Sequence, residues 1–129
     1  MAHPNEDLLR RGYEAFATGD IDTVLSLFAD DIVWHVGGTS KVSGDYRGHQ
    51  EVVGFLGEMM ELSGGTFRLD IHDVLANDVH GVVLATARAE RDDKDMAVRE
   101  ANIWHLADGK ATEFWNFAED QDALDEFFG

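Results

Sequence analysis

Cysteine is missing from all 129 positions, which removes disulfides, thiolate metal ligation and a thiol nucleophile together. A reducing compartment fits that absence, and a cytoplasmic protein is expected. Basic residues are scarce: ten Lys and Arg stand against 26 Asp and Glu, a formal charge of −16. Such a surface repels phosphate backbones and anionic lipid headgroups, so neither nucleic acid nor a membrane is an expected partner. The acids are spread over Asp30-Asp31, Asp92 to Asp95 and Glu119 to Glu126, the pattern of a solvated shell. No run approaches the ~20 apolar residues of a membrane span, and the start, Met1 to Asp7, lacks a basic stretch followed by an apolar one. Internal repeats, a Gly-x-Ser-x-Gly elbow and a phosphate-binding lysine after Gly37-Gly38-Thr39-Ser40 are also absent.

What is present is an ordered succession of segments. The length suits one domain over residues 1–129. Asn5 or Asp7 can cap a first helix with Leu9, Tyr13, Phe16 and Ala17 on one face, ending at Thr18-Gly19. Asp20 caps a second, whose stripe is Val24, Leu25, Leu27 and Phe28. A short strand, Ile32 to Val36, precedes the Gly37–Ser40 turn. A third helix follows Gly48, with Val52, Phe55, Leu56, Met59 and Leu62 inward and Ser63-Gly64-Gly65 as its stop.

From Thr66 the apolar period becomes two. Four runs follow, turning at Asn77-Asp78, at Arg91 to Asp95 and at Asp108-Gly109, so these strands are expected to pair antiparallel. Leu124, Phe127 and Phe128 suit a closing helical turn. The expected class is α+β, a curved antiparallel sheet laid over three N-terminal helices, with a pocket where the bend exceeds what the helices fill.

His35, at the end of the short strand, is the first candidate for general acid or base near neutral pH. A half-buried structural histidine is the competing reading. Tyr13 could turn its hydroxyl into the pocket as a donor to a carbonyl or oxyanion, or be a plain core tyrosine. In the last two runs large aromatics alternate with single polar groups, which suits an apolar pocket with a few oriented hydrogen-bonding groups and equally suits a dimer interface. The expected contacts to a small molecule are Trp34, Tyr46, Phe55 and Met59 from the first half, with Asn102, Trp104, Glu113 and Trp115 from the last strands. Arg88 and Glu90 share a face with Thr86, more in keeping with a surface ion pair than with a site. The histidines show no ligand spacing, so no metal is expected, nor any other cofactor.

Four pieces resemble the nuclear transport factor 2-like superfamily, and most closely its SnoaL-like branch of polyketide cyclases and ketosteroid-isomerase relatives. They are Tyr13-Glu14-Ala15-Phe16 with Gly19-Asp20 and Leu27 to Asp31; Gly44-Asp45-Tyr46-Arg47-Gly48; Trp104 to Lys110; and Glu113-Phe114-Trp115 followed by Asp120. The resemblance implies a cone-like α+β fold, also termed cystatin-like, and a homodimer formed through the outer face of the sheet. It further implies a cofactor-free isomerase or cyclase that moves a proton beside a ketone. In such enzymes a strand carboxylate or histidine acts with a tyrosine or acid that holds the enolate; the isomerase itself is a standard example of that pairing. This chain has Trp115-Asn116-Phe117 where an in-strand aspartate is expected, which keeps a non-catalytic ligand-binding module open. Arg88-Ala89-Glu90 imitates the arginine and acid spacing of epoxide hydrolases in the same superfamily, a third alternative.

Overall fold

The computed structural model describes residues 3–129. Helix α1, Pro4–Ala17, is capped by the side chain of His3, whose Nδ1 accepts the Asn5 amide at 3.0 Å. Neither Asn5 nor Asp7 takes that role, because Pro4 starts the helix two residues before an Asn5 cap would, and its fixed φ favours the first helical position. The Asn5 side chain instead donates to the carbonyls of Asn77 and Asp78 at 2.9 and 3.1 Å, pinning the helix start to a strand turn. Helix α2, Ile21–Ser26, is capped as expected by Asp20, which accepts the Thr23 amide at 3.2 Å.

Strand β1, Phe28–Val36, begins four residues before the apolar run that marks it in the sequence. A further strand, β2, Gly44–Arg47, has no periodic signature and forms because it pairs antiparallel with the end of β1. Helix α3, Gly48–Leu62, follows directly. Strands β3, Arg68–Ala76, β4, His80–Arg91, β5, Lys94–Ala107, and β6, Lys110–Ala118, form the antiparallel meander, and α4, Gln121–Phe128, closes the chain. Asp108 and Gly109 both take positive φ, 53° and 75°, the demand of a two-residue hairpin turn whose twist matches that of its strands.

The six strands lie in the order β2-β1-β6-β5-β4-β3, and β1 runs parallel to β6. Register irregularities occur in β1 between Phe28 and Val33, in β3 between Ile71 and Asp73, and between β5 and β6 at His105/Leu106. Such interruptions increase local twist and bend, which curls this sheet over the helices. The expected α+β class and curved sheet are thus observed. One inner row crosses five strands as Gly81, Trp104, Phe114, Trp34 and Tyr46. Gly81 leaves room for Leu9 of α1, whose Cδ1 would lie 2.3 Å from any added Cβ. Ile32, Val52 and Val83 are fully buried around this row, each burial contributing about 1.5–3 kcal/mol. Among the described residues, no helix is long and apolar enough to cross a membrane.

The loop after β1 is held against α4. Asp125 accepts from the Thr39 amide at 3.0 Å and from its hydroxyl at 3.3 Å, while Gln121 donates to the Gly37 carbonyl at 3.3 Å. Gly38, at φ +91°, has no space for a Cβ, which would meet the Asp125 carboxylate at 2.1 Å. Gly38→Ala should therefore lose ~1–3 kcal/mol of stability in urea unfolding, from backbone strain and displaced Asp125. An unchanged midpoint would contradict this account of the loop.

Candidate functional site

Between the inner face of the sheet and α1, α3 and α4 lies a cavity of about 130 Å³. Its wall is mostly apolar: Leu9 and Phe16 from α1, Phe55 and Met59 from α3, Leu124 and Phe128 from α4, and Trp34, Trp104 and Phe114 from the sheet. Alternation along the strands explains the sheet's share, since each of these aromatics sits two residues from the next inward side chain. Trp34 stacks on Phe114 with centroids 3.9 Å apart and meets Trp104 edge-on at 5.5 Å.

Polar groups meet in one part of this wall. The Tyr13 hydroxyl oxygen accepts from Asn102 Nδ2 at 3.0 Å and from Trp104 Nε1 at 3.1 Å. Asn102 Nδ2 also donates to Glu100 Oε1 at 3.2 Å. Asn116 Nδ2 donates to Glu100 Oε2 at 3.0 Å and to Asn102 Oδ1 at 2.9 Å. A phenol has two acceptor positions and one proton; both positions are taken, and among the described residues the proton has no protein acceptor. Toward the cavity the Tyr13 hydroxyl can therefore act only as a donor.

The charges of this cluster follow from its surroundings. Exclusion from water pushes the Tyr13 phenol well above its usual range, against the opposing pull of the Trp104 and Asn102 hydrogen bonds, and the nearby Glu100 charge adds to the rise. Exclusion from water likewise raises the Glu100 carboxyl above the usual carboxylate range, while the amides of Asn116 and Asn102 pull it back. A carboxyl of raised proton affinity and a phenol oxygen both accept from the same amide nitrogen, Asn102 Nδ2, and line one mostly apolar cavity. That arrangement can remove a proton from carbon while a hydrogen bond holds the developing oxyanion.

Of the residues expected from sequence, Tyr13, Trp34, Phe55, Met59, Asn102 and Trp104 line the cavity together. Tyr46 stands behind Phe55, ring centroids 4.9 Å apart, with its hydroxyl donated to the Val42 carbonyl at 2.7 Å. His35, Glu113 and Trp115 lie on the opposite face of the sheet, because Trp34 points inward and its neighbour must point out. There His35 bonds Asp45 through Nδ1 at 2.8 Å and Glu113 through Nε2 at 2.7 Å, and its ring stacks on Trp115 at 5.2 Å. The other Glu113 oxygen is 3.6 Å from His105, whose ring meets His80 at 5.0 Å. Arg88 and Glu90 also face outward and pair across to β3, with Asp70 at 2.5 Å and with Arg68 at 2.8 Å, instead of with each other. Among the described residues no cluster of three His, Asp or Glu is placed to hold a metal ion.

The placement of Glu113 and Trp115 has a specific cause. In a plain two-residue hairpin around Asp108-Gly109, Glu113 would oppose Trp104. The observed register pairs it with His105 instead, leaving Thr112 as an extra residue, and one extra residue reverses the face of every side chain beyond it. Glu100 and Asn116 are the members of the polar cluster that sequence reasoning passes over. Alternation does place Glu100 with Asn102 and Trp104, and Asn116 with Phe114; joining those two sets requires the bulge.

Comparison with known proteins agrees with this architecture. The family model of the SnoaL-like domain matches residues 9–114. The uncharacterized protein Rv0034 of Mycobacterium tuberculosis is 34% identical over 95% of this chain and 94% of its own. Among solved structures, Bal32a from a soil-derived mobile gene cassette is 30% identical, covers 99% of this chain and 98% of its own, and superposes with a TM-score of 0.95. TerC, co-crystallized with polyporic acid, is 25% identical over 98% of both chains, with a TM-score of 0.86.

The outer cluster carries a pH dependence. Partial burial of the His35 ring disfavours its charged form, but the hydrogen bonds and charges of Glu113 and Asp45 outweigh this and raise its pKa. A folded pKa above the unfolded one means that the cluster's stabilisation is complete below the ordinary histidine value of ~6.5 and fades as pH rises through the raised value. The stability difference between the parent and His35→Gln, measured by urea unfolding across this range, should be largest on the acid side and shrink toward alkaline pH. A difference independent of pH would refute the charged cluster.

Proposed function

Since the chain belongs to the SnoaL-like domain family, we propose that it is a cofactor-free enzyme that binds a small, mostly apolar carbonyl compound and moves a proton on it. Glu100 is the base in this reading. Its carboxylate takes a C–H proton beside the carbonyl, and the bond's electron pair shifts onto the carbonyl oxygen, which receives the Tyr13 hydrogen bond. Where the ketone carries a β,γ double bond, the protonated Glu100 returns the proton to the γ-carbon of the dienolate and the double bond moves into conjugation, giving an isomer; where a second carbonyl is in reach, the enolate carbon attacks it and the alkoxide formed takes the proton from Glu100, giving a ring. Asn102 and Asn116 hold the carboxylate, and Trp34 and Trp104 exclude water. His35, on the outer face, takes no step in this scheme.

The observation that carries the proposal is that Asn102 Nδ2 donates both to the buried Glu100 carboxyl and to the Tyr13 hydroxyl oxygen, whose own proton has no protein acceptor among the described residues. A structurally similar protein, TerC, was crystallised with polyporic acid, which supports a small-molecule occupant for the same fold. With a substrate found by thermal-shift screening of neutral ketones, Glu100→Gln should lower kcat by about 10²–10⁴-fold and Tyr13→Phe by about 10²–10³-fold. The base must be ionised, so kcat/KM should rise with pH through a midpoint above the usual carboxylate value of ~4.3. Turnover by Glu100→Gln at the parent rate would end the proposal and leave a binding module.

A second copy of the chain is the proposed partner for the outer face. An apolar row crosses four strands there as Leu75, Val82, Ile103 and Trp115, and Leu75 and Phe117 are 50% and 58% exposed. Large apolar side chains gathered on one sheet face mark an interaction surface. Sedimentation should give a dimer for the parent and a monomer for Phe117→Arg; a monomeric parent would contradict the proposal.

A further inference from the structure

The cavity is small for a ligand site. At about 130 Å³ it is close to the ~150 Å³ space that holds a single benzene ring, whereas sites that enclose larger organic molecules run to roughly 300–1,000 Å³. A ligand of two rings therefore enters only where part of the wall gives way.

Most of the wall is fixed. Main-chain ladders join all six strands, α3 drives Val52, Phe55, Leu56 and Met59 into the core, and Asn5 pins the start of α1 to a strand turn. One seam differs. Gly37, Ser40 and Val42 line the cavity from the connection between β1 and β2, and Gln121, Leu124 and Phe128 line it from α4. Among the described residues no main-chain hydrogen bond crosses between these two segments. What crosses is the pair of bonds from Asp125 to the Thr39 amide and hydroxyl, at 3.0 and 3.3 Å, and that from Gln121 to the Gly37 carbonyl, at 3.3 Å. Gly37, Gly38 and Thr39 are exposed, so water replaces these bonds when they part, and each shifts the balance between closed and open by only about tenfold.

The two sides of the seam are not equally free. The far end of α4 is anchored by the buried Phe127 and Phe128, and Arg91 and Lys94 donate to the Phe127 and Glu126 carbonyls at 2.7 and 3.1 Å. On the other side, glycines at positive φ flank the connection, Gly38 at +91° and Gly44 at +141°, and glycine absorbs a backbone rotation that a side chain would resist. Val42 is buried and its carbonyl takes the Tyr46 hydroxyl at 2.7 Å. That fixes the inner end and leaves the tip, residues 38–41, as the part that swings.

We infer that this tip is the gate of the cavity, latched shut by Asp125 and Gln121 of α4. The inference rests on the cavity being the ligand site, as in the proposed function, and adds the route by which a ligand reaches it. Closed, the seam shields the space in front of Tyr13 and Glu100 from water; open, it admits a ligand at a rate set by the parting of the latch and not by diffusion.

The test is stopped-flow uptake of 1-tetralone, a neutral two-ring ketone, followed by the fluorescence of the tryptophans in the wall. In the parent the observed rate should level off as the tetralone concentration rises, because opening limits entry. Asp125→Ala should raise that plateau by about tenfold, one net hydrogen bond. Asp122→Ala, an exposed acid of the same helix outside the seam, should leave it unchanged. A lock is also available, since the chain has no cysteine of its own. A Cβ on Gly38 would lie 2.9 Å from Asp125 Cγ, and so at most one bond length further from its Cβ, within the span of a disulfide. Gly38→Cys/Asp125→Cys should take up tetralone more than tenfold more slowly than the parent when oxidised, and faster than the parent when reduced. A rate that climbs without a plateau, or one plateau shared by the parent, Asp125→Ala and the oxidised double variant, would overturn the gate and leave the cavity as a ligand site with another entrance. Failure of tetralone to bind any form, Asp125→Ala included, would overturn both. If the double variant does not fold or does not oxidise, the comparison of Asp125→Ala with Asp122→Ala decides: equal plateaus overturn the inference.

Discussion

Thr112 is one residue more on β6 than β5 can match, and the facing of every later side chain in the hairpin depends on it. With that insertion, Asn116 lies beside Asn102 and Phe114 beside Trp104 on the inner face. Glu113 goes outside, between His35 and His105. A period of two leaves no intermediate outcome. The amide network of the cavity and the histidine–acid cluster of the outer face are therefore two consequences of a single bulge. Similar irregularities in β1 and β3 supply the bend that separates sheet from helices and opens the space between them.

The polar cluster shows how a carboxyl is kept in an apolar pocket. An unpartnered carboxylate there would be expelled or neutralised. Each Glu100 oxygen receives one amide proton, and Asn102 is engaged through both of its terminal atoms. The chain of bonds ends at the phenol proton of Tyr13. Glu100 is thereby held in place while its affinity for a proton stays raised, because two amide hydrogen bonds only partly offset its exclusion from water. The network is satisfied wherever it faces protein and unsatisfied where it faces the cavity.

The two faces of the sheet have separate chemistry. Inside, five aligned positions from Gly81 to Tyr46 build an aromatic wall against α1 and α3. Outside, ion pairs such as Arg88 with Asp70 and Arg68 with Glu90 border an apolar row, and being exposed they contribute little stability. The SnoaL-like architecture accounts for the hollow and its walls. It does not by itself determine function, which depends on which polar side chains the strands turn inward.

Much of this protein is legible in its residues. The helical stripes of α1 and α3, the cap at Asp20 and the turn at Asp108-Gly109 are local features, decided by neighbours within a few positions, whereas α2 stops at Ser26 and leaves Leu27 and Phe28, expected on its stripe, to its C-cap and to β1. The local features define the α+β order, and with it the presence of Tyr13, Phe55 and Met59 on faces turned toward the sheet. Strand β2 carries no such local signature and exists because β1 offers an edge. The parallel contact of β1 with β6 joins residues about 80 positions apart in the pairing of His35 with Trp115. Face assignment beyond a bulge is likewise non-local, since the inserted residue is identified only once both strands are paired. For that reason the polarity, the aromatics and the helices of the cavity were written in the sequence, while the joining of Asn116 to Glu100 and Asn102 in its lining, and the turning of Glu113 outward to His35, were decided by tertiary pairing.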